Sequence, residues 1–105
     1  SMLKRALINL IQNAVQAMPN GGTLKISATC QNNHVCININ DTGEGIPQEI
    51  QTKLFTPLFT TKSKGQGFGL AVVKRLIEAQ DGTITFQTQS GKGTTFTIKL
   101  PLQNP

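Results

Sequence analysis

Apolar residues open the chain at helical spacing. Leu3, Leu7, Leu10 and Ala14 form one run and Ile11, Val15 and Met18 a second, so an amphipathic helix is predicted from Leu3 to Met18. Pro19-Asn20-Gly21-Gly22 ends it. The period then drops to two: "TLKISAT" and "HVCININ" alternate and are joined by "CQNN", the pattern of an antiparallel hairpin. "PQEIQTKLF" reads as a short helix, with Pro47 near its first turn and Ile50 and Leu54 one turn apart. "TPLFTTKSKGQG" has no period and collects Thr, Ser, Lys and Gly, so a mobile, lid-like loop is expected there. From Phe68 to Gln80, Leu70, Val73 and Ile77 mark a second long helix. Asp81-Gly82 then leads into "TITFQT", "QSGKG" and "TTFTIKL", a second hairpin.

This order predicts a two-layer α/β sandwich: a mixed, mostly antiparallel sheet with helices on one face, in a single domain over residues 1–105. A chain of 105 residues supports one core but is smaller than most enzymes that carry all their own chemistry. Part of the function is therefore expected in other segments. Ser1-Met2 resembles a cloning remnant before a fragment, because the apolar period starts abruptly; a sheet edge exposed by such a truncation is expected to pair with a second copy. No run reaches the roughly 18 apolar residues that span a bilayer and no signal stretch opens the chain, so a soluble, cytoplasmic domain is expected, with any membrane attachment lying elsewhere.

Ten Lys and Arg against five Asp and Glu favour an anionic partner. The cations are scattered, and Trp and Tyr are absent, so the stacking platforms of a nucleic-acid binder are missing and no nucleic-acid partner is expected. In the alternating pattern Cys30 joins the face of Leu24, Ile26 and Ala28, whereas Cys36 falls opposite Val35, Ile37 and Ile39. A disulfide is not expected, and two Cys with the single His34 are too few for a structural zinc site.

Chemistry concentrates in three stretches. "DTGEGIP", after the second strand, has the Asp-Thr-Gly of an aspartic protease, but the two helices and the charged Glu44 beside the would-be dyad count against a pair of carboxylates sharing a proton. Read as a binding loop, Asp41 is an acceptor-only group that pairs with the exocyclic amine of adenine and repels a carbonyl oxygen. Gly43 and Gly45 let the chain turn and a planar ring approach. On the first helix, Asn9, Asn13 and Gln16 form a polar stripe, and an amide oxygen ligates Mg²⁺ without adding charge. "GQGFGL" places Gly65, Gly67 and Gly69 ahead of a helix, where exposed amides favour phosphate, with Lys62 and Lys64 supplying counter-charge.

Five ordered stretches, "NLIQNAVQAM", "DTGEGIP", "LFTPLFTTK", "GQGFGLAVVKRLIEAQDG" and "GKGTTFTIKLP", resemble the N, G1, F, G2 and final Gly-Thr-x-Phe boxes of sensor histidine kinase catalytic domains in the GHKL superfamily. The resemblance implies the Bergerat ATP-binding fold, here without its usual first helix and strands, and the cofactors ATP and Mg²⁺. By position it implies Asn13 as the Mg²⁺ ligand with Asn9 assisting at the phosphates, Asp41 as the adenine contact, and Gly43 and Gly45 as walls of the pocket. Gly65, Gly67 and Gly69 would hinge the lid and face the phosphates, Leu70 joins the nucleotide-binding residues, Phe55 and Phe59 match the F box, and Thr94 supplies the late hydroxyl near the base. Gln16 and the run Thr60-Thr61-Lys62 depart from the commonest pattern and resemble the nitrogen-regulatory subgroup, with Lys62 the expected γ-phosphate cation.

Hydrolytic members of that superfamily carry a Glu one turn before the Mg²⁺-binding Asn; Asn9 stands there instead, and an amide is a poor base. The expected function is therefore transfer of the ATP γ-phosphate to a histidine on a separate dimerisation domain, in a full-length homodimer that signals to a response regulator. The alternatives are an anti-sigma-type serine kinase or an ATPase of the same superfamily. His34, at a hairpin tip, is not expected to be the phosphoacceptor.

Overall fold

The computed structural model describes residues 1–56 and 68–102. The elements run α1 (Met2–Gln16), β1 (Leu24–Gln31), β2 (His34–Asp41), α2 (Gln48–Gln51), α3 (Phe68–Glu78), β3 (Thr83–Gln89) and β4 (Gly93–Pro101). Local chemistry sets their ends. The Ser1 hydroxyl accepts the Lys4 N–H at 3.1 Å and caps α1. Asn32 and Asn33, at φ 52° and 63°, make the two-residue turn between β1 and β2, a conformation Asn tolerates better than most residues. Asp81, at φ 63°, closes α3, and the Gly82 N–H donates back to the Ile77 carbonyl at 3.0 Å.

The four strands lie in the order β1-β2-β4-β3, and every pairing is antiparallel. The expected mixed sheet is thus corrected: among the described residues no two adjacent strands run parallel. Although β4 follows β3 in sequence, it inserts between β3 and β2. The reason lies in its side chains: Phe96, Ile98 and Leu100 are buried, and a central place covers them from both sides.

α1 and α3 pack side by side on one face of the sheet. Ala6 and Leu10 of α1, Leu70, Val73 and Ile77 of α3, and Ile39, Phe96 and Ile98 of the sheet form the core. Phe55, just beyond α2, stacks against Phe86 and Phe96 with ring centroids 6.0 and 6.4 Å away, so this F-box residue anchors the segment to the sheet. The other face is polar, laced by Asn40 to Thr95 and Thr97 to Asn38 side-chain bonds of 2.6 and 2.7 Å. Cys30 lies opposite Val35 and Cys36 opposite Thr29, which puts the two free thiols on opposite faces, as the alternation predicts. Among the described residues nothing pairs with the outer edge of β1, whose Ile26 is 50% exposed.

Candidate functional site

The inward-facing apolar stripes of three strands end in polar residues at one end of the sheet. On β2 the stripe Val35, Ile37, Ile39 finishes at Asp41; on β4, Leu100, Ile98 and Phe96 lead to Thr94; on β3, Ile84 and Phe86 lead to Thr88. The register aligns them, because Asp41 sits opposite Thr94 and Thr94 opposite Thr88. A period of two therefore converts three separate sequence positions into one row of oxygen atoms beneath the helices.

Asp41 and Thr94 are each 4% exposed. One carboxylate oxygen of Asp41 accepts the Gly43 N–H at 2.9 Å. Burial pushes the Asp41 carboxyl above the usual carboxylate range, and the backbone N–H groups of Gly43 and Thr94, which favour the ionised form, oppose that shift. Among the described residues no buried side-chain nitrogen or oxygen lacks a partner. Asp41 is thus a buried acceptor engaged by two backbone N–H groups, that of Gly43 in its own loop and that of Thr94 on β4.

That loop is tied down on both sides. The Ala17 carbonyl at the end of α1 accepts the Glu44 N–H at 3.3 Å, and a Cβ on Gly43 would run into the same carbonyl oxygen, so helix and loop meet at a distance only glycine permits. Gly45 adopts φ 80°, and a Cβ there would come within 2.5 Å of the Gln89 carbonyl oxygen. From the β3–β4 hairpin, the Gly91 N–H donates to the Glu44 carbonyl at 2.8 Å, and the Thr88 hydroxyl accepts the Ile46 N–H at 2.9 Å. Thr42 adds a third tie: its hydroxyl accepts the Thr23 N–H at 2.9 Å and donates to the Met18 sulfur at 3.6 Å.

Beside this loop lies a cavity of about 310 Å³ lined by Asn13, Glu44, Gly45, Ile46, Leu54 and Leu70, among others. Its walls are mainly apolar, with an amide from α1 and a carboxylate from the loop, the make-up of a site for a flat, partly polar ligand. Asn9 and Asn13 are half-buried on α1, Gln16 exposed. The structure brings Asn13, Gly45 and Leu70 to one cavity. Asp41 stands three residues before Glu44, which lines the cavity, but neither Asp41 nor Thr94 is in its lining. Gly69 belongs to the first turn of α3. Phe59, Lys62, Gly65 and Gly67, together with the expected lid, lie outside the described residues. Thr88, Thr42 and Ile46 were not singled out from the sequence. For Thr88 a signal existed, a hydroxyl on the apolar stripe of Ile84 and Phe86.

A sheet that ends in a buried acceptor row, a glycine loop held against it and a half-open apolar cavity under an amide-bearing helix define a nucleotide-binding α/β domain. The chain belongs to the histidine kinase-, DNA gyrase B- and HSP90-like ATPase family, whose profile matches residues 1–104. Over 104 residues it is 38% identical to sporulation kinase C of Bacillus subtilis, covering 99% of this chain and 24% of that protein. It is also 43% identical over 100 residues to sensor histidine kinase ZraS of Escherichia coli, covering 95% of this chain and 22% of that protein. The chain thus spans about a quarter or less of the curated relatives it matches. Among solved structures it matches the nucleotide-free catalytic domain of histidine kinase ThkA with a TM-score of 0.84 at 35% identity, over 95% of this chain and 66% of that one. Full-length ShkA in complex with AMPPNP matches with a TM-score of 0.86 at 27% identity, over 99% of this chain and 22% of that one. The chain is an ATP-binding catalytic domain of the histidine kinase type.

Proposed function

We propose that this domain holds ATP with the adenine amine against Asp41 and the phosphates toward Asn13 and the start of α3, and that its γ-phosphate goes to a histidine on a separate dimerisation domain. The observation that carries the reading is the buried Asp41 acceptor in register with Thr94, next to a cavity that begins at Asn13. Gly43 and Gly45 are at once walls of the base pocket and packing points against Ala17 and Gln89.

Mg²⁺ fits the residues present. The described residues hold no cluster of three or more His, Cys, Asp or Glu; the Asn13 amide oxygen adds one neutral ligand to an ion carried chiefly by phosphate. When bound, the ion neutralises charge on the transferring group. Asn9 assists at the phosphates, Gly65, Gly67 and Gly69 present backbone N–H groups to them, Lys62 pairs with the γ-phosphate, and Leu70 and Phe59 close over the nucleotide.

In transfer, an imidazole nitrogen of the acceptor forms a bond to the γ-phosphorus while the bond to the bridging oxygen breaks and ADP leaves. The domain contributes alignment and charge, not a base. α1 bears no Asp or Glu, so the helix that carries Asn9 and Asn13 offers no carboxylate base, which favours the kinase over an ATPase of the same family and over the anti-sigma-type serine kinase, whose hydroxyl nucleophile must lose a proton. The placement of His34 speaks against it as acceptor: it sits at the β1–β2 turn, its Nδ1 2.9 Å from the Asn32 carbonyl oxygen, at the opposite end of β2 from Asp41. Gln16 and Thr60-Thr61-Lys62 support the nitrogen-regulatory subgroup. The full-length protein is a homodimer that passes phosphate to a response regulator, with the domain in the cytoplasm; no described helix is long and apolar enough to cross a membrane.

The test is transfer in trans. Mixed with its cognate phosphoacceptor domain and Mg²⁺-ATP, the chain should label that domain's histidine in an acid-labile, base-stable linkage, and Asn13→Ala should abolish labelling. ATP binding without any histidine labelling, in a chain extended at its N-terminus as well, would refute the kinase reading.

A further inference from the structure

The row of oxygens at the sheet end contains one member that the ligand-binding reading does not use. Thr88 is half-buried on β3, and its hydroxyl lies 2.9 Å from the Thr94 hydroxyl, accepts the Ile46 N–H at 2.9 Å and donates to the Gly93 carbonyl at 3.2 Å. A hydroxyl has one proton and two acceptor sites. One acceptor site is taken by Ile46, and either hydroxyl of the Thr88–Thr94 pair can donate, so the Thr88 proton points to Thr94 or, with Thr94 donating, to Gly93. In both arrangements the Thr94 hydroxyl has a fixed partner before any ligand arrives, opposite Asp41 in the register.

We propose that Thr88 is a positioning residue for base recognition: it locks the Thr94 hydroxyl next to Asp41 and pins the exit of the glycine loop at Ile46, so that the hydroxyl, the carboxylate and the loop are preorganised as one unit. This rests on the nucleotide reading and deepens it by naming what fixes the base-selective hydroxyl. Valine matches threonine in shape but lacks the hydroxyl, so Thr88→Val removes the lock with the packing conserved. In a buried network, a freed hydroxyl and an unpartnered N–H leave the site to be ordered by the ligand at the ligand's expense.

The experiment is a calorimetric double-mutant cycle with Mg²⁺-ATP on wild type, Thr88→Val, Thr94→Val and the double variant, with Thr88→Ser as the conservative control. Thr88→Val should weaken ATP binding roughly five- to tenfold, the effect of one internal hydrogen bond. Thr88→Ser should bind within about twofold of wild type, because its hydroxyl keeps the network. In the Thr94→Val background, Thr88→Val should cost markedly less. A loss that persists in full there means that Thr88 acts only on the loop and overturns the proposal, as does wild-type affinity in Thr88→Val or failure of Thr88→Ser to rescue. Three-bond couplings on the free wild-type protein supply a measurement that needs no variant: Thr94 should occupy a single χ1 rotamer, and rotamer averaging refutes the lock. If wild type binds no ATP, the nucleotide reading falls and takes this inference with it; if wild type binds and the cycle shows no coupling, only the inference falls.

Discussion

Replacing Asp41 by Asn changes one atom's chemistry at the floor of the site and tests the base assignment directly. The side chain is 4% exposed, and one of its oxygens already accepts the Gly43 N–H at 2.9 Å. In Asp41→Asn the amide oxygen keeps that bond, which turns the NH₂ group toward the ligand, where a donor now meets the adenine amine. The loss is a charge-assisted hydrogen bond, about 1.5–3 kcal/mol, or roughly a tenfold to hundredfold rise in Kd for ATP, with the preference over GTP reduced. Stability should move the other way. Burial raises the Asp41 pKa, so the ionised carboxylate is a cost to the fold at neutral pH that the neutral amide does not carry. The sign follows from the direction of the shift: with the folded pKa above the unfolded one, the cost is fully present above the folded value and disappears as pH falls below the unfolded value. Over the same acid range, protonation removes the acceptor that reads adenine. Calorimetry with ATP and GTP, together with thermal melts of both proteins, checks each part. Wild-type affinity and selectivity in Asp41→Asn would refute the assignment, and ATP affinity that falls identically with acid in both proteins would show that Asp41 is not the titrating group.

Two further substitutions test the frame of the site. Gly43→Ala puts a methyl group into the Ala17 carbonyl and should destabilise the fold by about 1–3 kcal/mol while weakening ATP binding; an unchanged melting temperature would show that the loop is not pressed against α1. Leu10→Ala, at a core site of α1 that is 1% exposed, should cost about 2–5 kcal/mol in chemical denaturation, and a loss below 1 kcal/mol would contradict the core described here.

The two long helices, both hairpins and the turns inside those hairpins were legible in the chain because each depends on residues a few places apart, whereas the short helix read through Phe55 ends at Gln51. Period 3.6 in Leu3, Leu7, Leu10 and Ala14 is a local property, and so are the positive φ angles of Asn32 and Asn33. The alternation also placed Cys30 and Cys36 on opposite faces. Asp41, Asn13 and Thr94 stood out because their motifs are short and ordered. Strand order was not legible: the insertion of β4 between β2 and β3 is set by which stripe gains most from being covered on both sides, a competition among segments more than 50 residues apart. That order alone brings Thr94 opposite Asp41 and Thr88 opposite Thr94. In the chain Gly43 reads as a turn glycine; in the fold it is the point where loop and helix touch, a requirement created by Ala17, 26 residues earlier. Residue types and periods lie in the sequence itself, whereas which oxygens share a row, and which glycines have no room for a side chain, exist only once long-range packing has closed.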